Sequence, residues 1–384
     1  MVFKGQITHL SQKGLGVVQN KQDGIAYFVS GTWPGDHGEF EIIDRTLPNK
    51  KYGYAKLVQL IQPSVDRQQA PCPFLGTTET ACAGCPWMIA SYTSQLEQKR
   101  NRFKYALQRA GFNLESLSIP PVHPSPVQYG YRNRFQLKTD GNQLGFVAEG
   151  SHRIAPIQDC LVLNEACKTL LHKLHNQLPR SDWQPIKGAN WNFIDLDDDL
   201  SFEQIRLNHK RPFKQGNCTQ NTWIKAWLSS KLAANPVPQK IIELFCGSGN
   251  FTEILAASGC RSIIAYEAEL DAIQQLRAKH LPNVDAQSID LFKPLVWKII
   301  KKVISDADTL VLDPPRAGLK NMKGFFEYFR ALKTVYYISC DPESFARDAW
   351  AFTQKGWKLA EIQLVDLFPH TPHVETLAVL KKSQ

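Results

Sequence analysis

The chain has 384 residues, 43% of them hydrophobic, with 9 Trp and 20 Phe, which is enough apolar material for two or three globular domains. Lys and Arg outnumber Asp and Glu by 45 to 36, for a formal charge of +9 and a pI near 9.0; this favours a polyanionic partner through counterion release without identifying one. No run of about 18 apolar residues could span a bilayer, and Met1-Val2-Phe3-Lys4-Gly5-Gln6 holds no apolar core of a secretion signal, so a cytoplasmic protein with no membrane association is expected, acting as a monomer.

Residues 1–65 read as a small barrel. Short strands are predicted over residues 4–9, 16–19, 25–29, 38–43 and 54–60, punctuated by Gly14, Gly24, Gly31, Gly35 and Gly53. The stretch Val29-Ser30-Gly31-Thr32-Trp33-Pro34-Gly35-Asp36 resembles the TRAM module, an OB-like RNA-binding barrel carried by RNA-modifying enzymes.

Residues 63–73 have the composition of a linker and lead into a second region over 70–210. Cys72, Cys82 and Cys85 follow with the spacing C-x9-C-x2-C, and Cys160 in Gln158-Asp159-Cys160-Leu161 is the expected fourth ligand. Four thiolates suit tetrahedral zinc or an iron–sulfur cluster, and spacing alone does not separate the two. A helix is predicted over about 88–111 from the recurrence of Ile89, Tyr92, Leu96, Phe103, Leu107 and Ala110, and it is expected to pack on the catalytic domain. Strands over 131–137 and 144–146 and a helix near 161–174 make the region mainly β. The acidic run Asp195 to Asp199 reads as a hairpin tip with no assigned role. The remaining thiols, Cys167, Cys218, Cys246 and Cys260, read as small buried residues.

From about Pro212 the pattern becomes apolar runs of four to six residues alternating with helical stretches, over 240–245, 262–266, 309–312, 335–339 and 376–380. That is the sign of a parallel, doubly wound sheet, whose ligands sit beyond the carboxyl ends of the strands. Glu243-Leu244-Phe245-Cys246-Gly247-Ser248-Gly249-Asn250 places a Gly-rich turn between the first strand and a helix starting near Phe251-Thr252. Glu267, about 20 positions on, can accept both hydroxyls of a ribose. A third glycine to seat a pyrophosphate is lacking, since position 252 is Thr, which suits S-adenosylmethionine better than a dinucleotide. Asp290 is then placed for the adenine edge and Asp313 for the methionine moiety.

Cys340 lies between a strand and the helix opened by Pro342, where a helix amino terminus favours thiolate. In the segment Asp366-Leu367-Phe368-Pro369-His370-Thr371-Pro372-His373-Val374-Glu375, both Glu375 and His370 are candidate bases, His370 having the more convenient ordinary pKa.

These motifs together, Ser339-Cys340-Asp341-Pro342, Asp313-Pro314-Pro315-Arg316-Ala317-Gly318, and Phe213-Lys214-Gln215-Gly216-Asn217 against a Phe-x-Gln-x-Asn pattern, resemble the RNA uracil-5 (m5U) methyltransferase family over nearly the whole chain. The resemblance is to the bacterial 23S rRNA and tRNA enzymes. It implies a Rossmann-like S-adenosylmethionine-dependent methyltransferase domain over 211–384, an N-terminal OB-like barrel and a central mainly β domain. Donor contacts are implied for Gln215, Phe245, Asn250, Glu267, Asp290 and Asp313, with Cys340 as nucleophile and Glu375, rather than His370, as base. It also implies a [4Fe-4S] cluster on Cys72, Cys82, Cys85 and Cys160, and RNA contacts from Arg132 and Arg134. Two departures are Asp341 in place of the commoner Asn, and Asp290 where some relatives have Asn.

The implied activity is formation of 5-methyluridine in 23S rRNA, with tRNA as the alternative substrate. An enzyme methylating exocyclic amines through Asp313-Pro314-Pro315 would leave Cys340 without a role, and a non-catalytic iron–sulfur RNA-binding protein would have no use for the donor pocket.

Overall fold

The computed structural model describes residues 1–44, 52–320 and 322–383. The chain divides into two compact units, the first of Met1–Arg102, Pro126–Arg211 and Phe368–Pro372, the second of Phe103–Ser125, Pro212–Leu367 and His373–Gln384.

In the first unit, β1 (Val2–Leu10), β2 (Gly16–Gln19), β3 (Ala26–Val29), β4 (His37–Asp44) and β5 (Tyr52–Gln62) close a barrel in the order β1-β2-β3-β5-β4. Alternation along the strands sends Phe3, Ile7, Val18, Tyr27, Val29, Phe40 and Ala55 into its core. Gly5 and Gly38 are cross-strand partners; a Cβ on Gly5 would stand 2.5 Å from Val18 and one on Gly38 2.7 Å from the Gln59 carbonyl, so both strands need the bare backbone there. Asp36, fully buried, accepts the Trp33 and Ser64 N–H groups at 2.7 and 2.9 Å and the Arg67 guanidinium at 2.8 Å. That network holds the Gly-Thr-Trp-Pro-Gly-Asp turn to the segment leaving β5.

Beyond the barrel come α1 (Tyr92–Ala110), β6 (Arg134–Thr139), β7 (Leu144–Val147), β8 (Ile154–Pro156), α2 (Glu165–His175) and β9 (Asn192–Asp197). The four strands form an antiparallel sheet in the order β8-β7-β6-β9. Leu170, Leu171 and Leu174 of α2 share a core with Phe135, Leu137, Ile194 and Leu196. The run Asp195 to Asp199 is not a hairpin tip: Asp195 and Asp197 lie inside β9, both buried. Asp195 pairs with Arg134 at 2.7 Å and Asp197 with Arg211 at 2.5 Å. Two carboxylates on a strand read as surface by composition, yet a buried carboxylate is stable when a guanidinium binds it.

The second unit contains α3 (Cys218–Ala233), β10 (Lys240–Leu244), α4 (Thr252–Ala256), β11 (Ser262–Glu267), α5 (Leu270–Ala278), β12 (Val284–Ser288), α6 (Val296–Ile304), β13 (Thr309–Leu312), α7 (Met322–Tyr328), β14 (Thr334–Ser339), α8 (Pro342–Thr353), β15 (Trp357–Val365) and β16 (Glu375–Lys382). The sheet order is β12-β11-β10-β13-β14-β16-β15. Its first five strands are parallel, whereas β16 runs antiparallel to both β14 and β15. The expectation of a wholly parallel sheet therefore fails at this edge. A parallel return needs a crossover of a dozen or more residues, usually helical, and the short segment between β15 and β16 holds no helix. Phe103, on the half of α1 that belongs to this unit, lies 5.8 Å ring to ring from Phe345 of α8. Strand order reverses between β11 and β13 on either side of β10, which puts the crevice for a ligand at the carboxyl ends of β10 and β13. Among the described residues, no helix is long and apolar enough to cross a membrane.

Candidate active site

The Gly-rich turn leaves β10 through three positive backbone angles, Phe245 at φ 65°, Gly247 at 54° and Gly249 at 92°. A Cβ on Gly249 would stand 2.5 Å from Leu276, so glycine lets α5 pack close. Glu267 closes the turn, its Oε2 accepting the Gly247 N–H at 3.1 Å and its Oε1 the Ala268 and Glu269 N–H groups at 2.7 and 3.2 Å. Asn250 exchanges amide hydrogen bonds with Asn221 of α3 at 2.9 and 3.0 Å, a partner that the sequence did not single out. Gln215 accepts its neighbour Gly216 N–H at 2.9 Å. Asp290 is exposed and accepts the Phe292 N–H at 2.9 Å.

Carboxylates crowd this end of the sheet. Asp313, just past β13, has its pKa pushed up to about 7 by burial and then by the charge of Glu267. Glu243, 2% exposed and bonded by the Thr252 hydroxyl at 2.6 Å, is pushed up to about 8, with burial the largest cause and Asp313 adding to it. Glu375, at the start of β16 and 4% exposed, stands well above the ordinary carboxylate range through burial and then Asp313. Burial is the first cause for all three, Lys279 already pulls Glu243 the other way, and a cation beside the others would favour their charged forms.

Cys340 is half-buried between β14 and α8. Asp341 caps that helix by accepting the Ser344 N–H at 2.9 Å, and Pro342 occupies its first turn. Asp and Asn are equivalent N-caps, so the departure at 341 preserves the local fold. The expectation of a thiolate runs against the surroundings of this side chain. Burial pushes the thiol up to about 12, Glu375, Asp313 and Asp341 add to the push, and Arg316 opposes it. Glu375, Asp313 and Arg316 thus all act electrostatically on Cys340, Asp313 acts on Glu375, and Arg316 Nη2 lies 3.3 Å from His373 Nε2.

His370, the alternative base, belongs to the first unit. It is 1% exposed, its ring stacks on Tyr129 at 4.9 Å, and its backbone N–H donates to Gln95 Oε1 at 2.9 Å.

In the first unit, Cys72, Cys82, Cys85 and Cys160 line one pocket with Phe74, Leu75, Met88 and Phe146. All four are half-buried free thiols. Burial raises Cys82, Cys85 and Cys160, the neighbouring cysteines raise them further, and Arg132 pulls Cys82 and Cys85 the other way. Among the described residues, no three His, Cys, Asp or Glu side chains are drawn together tightly enough to hold a metal ion. Arg132 Nε donates to the Arg134 carbonyl at 2.9 Å and its guanidinium lies 5.8 Å from the Phe368 ring centre. Arg134 Nη2 reaches Asp195 at 2.7 Å and the Arg211 carbonyl at 2.8 Å.

The chain is similar to known proteins over nearly its whole length. Residues 297–383, a span that includes Cys340 and Glu375, match the family model described as tRNA (Uracil-5-)-methyltransferase. An uncharacterized RNA methyltransferase of Nitrosomonas europaea is 60% identical across 100% of this chain and 97% of its own length. The 23S rRNA (uracil(1939)-C(5))-methyltransferase RlmD of Francisella tularensis is 27% identical across 99% of this chain and 97% of its own. Among solved structures, the Pyrococcus abyssi tRNA (uracil-54, C5)-methyltransferase in complex with S-adenosyl-L-homocysteine aligns with a TM-score of 0.69 and 25% identity, covering 98% of this chain and all of that one. By sequence over its full length and by the fold that frames the acidic crevice, the chain belongs to the S-adenosylmethionine-dependent RNA uracil-5 methyltransferase family.

Proposed function

We propose that the protein methylates C5 of a specific uridine in 23S rRNA, with Cys340 as nucleophile and Glu375 as base. The observation that carries this reading is that Cys340, just past β14, and Glu375, at the start of the neighbouring β16, stand at one edge of the sheet, where Glu375, Asp313 and Arg316 all act on the thiol. A uracil C5 is a poor nucleophile until a thiolate adds at C6 and moves the ring electrons toward O4 as an enolate. The Cys340 proton must leave first, and Arg316 favours the resulting anion. Bound S-adenosylmethionine supplies an electrophilic methyl group, which C5 takes. The Glu375 carboxylate then removes the C5 proton, the electron pair re-forms the C5–C6 double bond, and the Cys340 sulfur leaves. A carboxylate held above its ordinary pKa is the better proton acceptor for that step. The target base would have to leave its stack to reach the thiol.

Gln215, Phe245, Asn250, Glu267, Asp290 and Asp313 are the residues we assign to the donor. A sulfonium cation suits a crevice whose carboxylates are held from ionising, and the Gly247 to Gly249 turn provides close backbone approach. Residues 211–384 serve methyl transfer in this reading, whereas the barrel of 1–65 and the central region of 70–210 serve RNA. Arg132 and Arg134 are the RNA contacts proposed there, Arg134 from a guanidinium already oriented by Asp195.

Likeness to the 23S enzyme over nearly the full chain, together with the barrel and the cysteine pocket, favours ribosomal RNA; likeness to the solved tRNA enzyme favours the second reading. Labelled donor incubated with purified protein and either 23S rRNA or tRNA transcripts separates them. Incorporation into 23S rRNA at least about tenfold above tRNA is expected, and the opposite preference would replace the rRNA assignment with tRNA.

We further propose that Cys72, Cys82, Cys85 and Cys160 hold a [4Fe-4S] cluster. Four thiols facing one apolar pocket fit it, and a cubane, being larger than a single ion, needs ligands that stand farther apart than a mononuclear site does. When bound it would supply positive charge that keeps the four half-buried thiolates ionised. Protein purified without oxygen should be brown and contain iron and sulfide in equal amounts; a colourless protein containing zinc would reject the cluster.

A further inference from the structure

The loop that carries Arg316 is held by a pair of residues on α8. Asp348, 1% exposed, accepts the Leu319 N–H at 2.6 Å and the Tyr337 hydroxyl at 2.8 Å on Oδ2, and Arg347 Nε and Nη2 at 2.9 and 2.7 Å on Oδ1. Arg347 Nη2 also donates to the Ala317 and Leu319 carbonyls at 2.8 and 3.3 Å. Gly318, at φ 67°, makes the approach possible, since a Cβ there would stand 2.4 Å from Asp348 Oδ2 and 2.5 Å from Arg347 Nη2. One buried carboxylate therefore joins β14 through Tyr337, α8 through its own backbone, and the loop after β13. Cys340 lies in the chain between Tyr337 and Asp348, at the point where β14 gives way to α8.

A structural tie alone would not need to meet this loop. The groups acting on Cys340 are Glu375, Asp313 and Asp341, which hold its proton on, and Arg316, which favours its loss. Arg316 precedes Ala317, the residue whose carbonyl Arg347 grips. Those facing Asp348 are Arg347 and Tyr337. We propose that Asp348, with Arg347, is a positioning residue for methyl transfer that fixes the Arg316 loop at the distance from Cys340 where its guanidinium acts on the thiol. The idea rests on Cys340 as nucleophile, and goes beyond it by assigning a role to a side chain that makes no bond to donor or base.

The test measures the rate of Cys340 alkylation by iodoacetamide at one fixed pH of about 8.5 without donor, read by mass spectrometry of the Cys340 peptide. Asp348→Asn should slow it roughly tenfold, because less of the thiol is ionised at that pH. Arg316→Gln should slow it similarly, and the double variant should add little beyond either single change. A rate that stays at the wild-type value in Asp348→Asn, whether or not the melting temperature falls, overturns the proposal, as does full additivity in the double variant. Should Asp348→Asn not fold, Arg347→Gln carries the same test, because the Arg347 side chain is 57% exposed. Alkylation needs no RNA, so a failure of the catalytic assignment shows separately, as methylation retained by Cys340→Ala.

Discussion

Cys340→Ala is expected to lower methyl transfer to RNA by more than about 10⁴-fold, the scale on which removal of a covalent nucleophile acts. The variant should fold: the side chain is half-buried, its sulfur has no hydrogen bond that supports the helix cap, and trimming it costs about 1 kcal/mol. Donor affinity should change little, because Asp313, Glu267 and the Gly-rich turn are untouched. The pH dependence of wild type has a definite sign. With burial and three carboxylates pushing the thiol up to about 12, thiolate is scarce at neutral pH and grows as pH rises. A cationic donor beside the thiol would favour its anion directly, as Arg316 does, so attack on the pyrimidine should be faster with donor bound than without it. Single-turnover rates measured with and without donor between pH 6 and 9, about the range accessible before unfolding, read this directly. Equal rates would remove the donor's effect on the thiol, and methylation retained by Cys340→Ala would remove sulfur from the mechanism.

Glu375→Gln should separate the two halves of the reaction. Glutamine keeps the shape of a side chain that is 4% exposed but removes the carboxyl group that opposes ionisation of Cys340. Attack and methyl transfer should therefore proceed at least as fast as in wild type. Proton removal from C5 should fall by about 10²–10⁴-fold, the usual contribution of a positioned base. Methylated RNA joined to protein accumulates as a consequence, and survives denaturation on ordinary RNA without any fluorinated base. In wild type the carboxylate is the active form and its pKa is raised, so release should quicken as pH rises. Normal turnover by Glu375→Gln would transfer the base role elsewhere; His370 is an unfavourable substitute, being stacked on Tyr129 and tied to Gln95 in the first unit.

Much of this arrangement was legible in the chain. Glycine punctuation and alternating apolar residues were enough to place the barrel strands within one or two residues, because strand period and turn chemistry are local. The Gly-rich turn, Glu267, Asp313 and Cys340 could be placed at strand ends for the same reason. What escaped were features settled by partners distant in sequence. Asp195 and Asp197 looked like a solvated tip, since nothing nearby announces Arg134 or Arg211. The reversal of β16 depends on the absence of a helix after β15, a weaker signal than an apolar run. Helix α1 begins at Tyr92 rather than near 88, its first predicted turn being given over to the bends after Cys85. Asp348 was passed over because an Asp in mid-helix reads as surface until the loop that it holds is seen. The thiol's resistance to ionisation was missed for a related reason: the helix end beside Cys340 is local, whereas Glu375 and Asp313 reach it only through the folded sheet.

The most direct test of the account is to incubate the enzyme and donor with RNA carrying 5-fluorouridine at the target, where fluorine replaces the proton that the base must remove, and to sequence the trapped peptide by mass spectrometry. The account predicts a stable complex in which a methylated fluoropyrimidine is bonded to the sulfur of Cys340. A bond to any other residue, or methylated product with no protein attached, would contradict it.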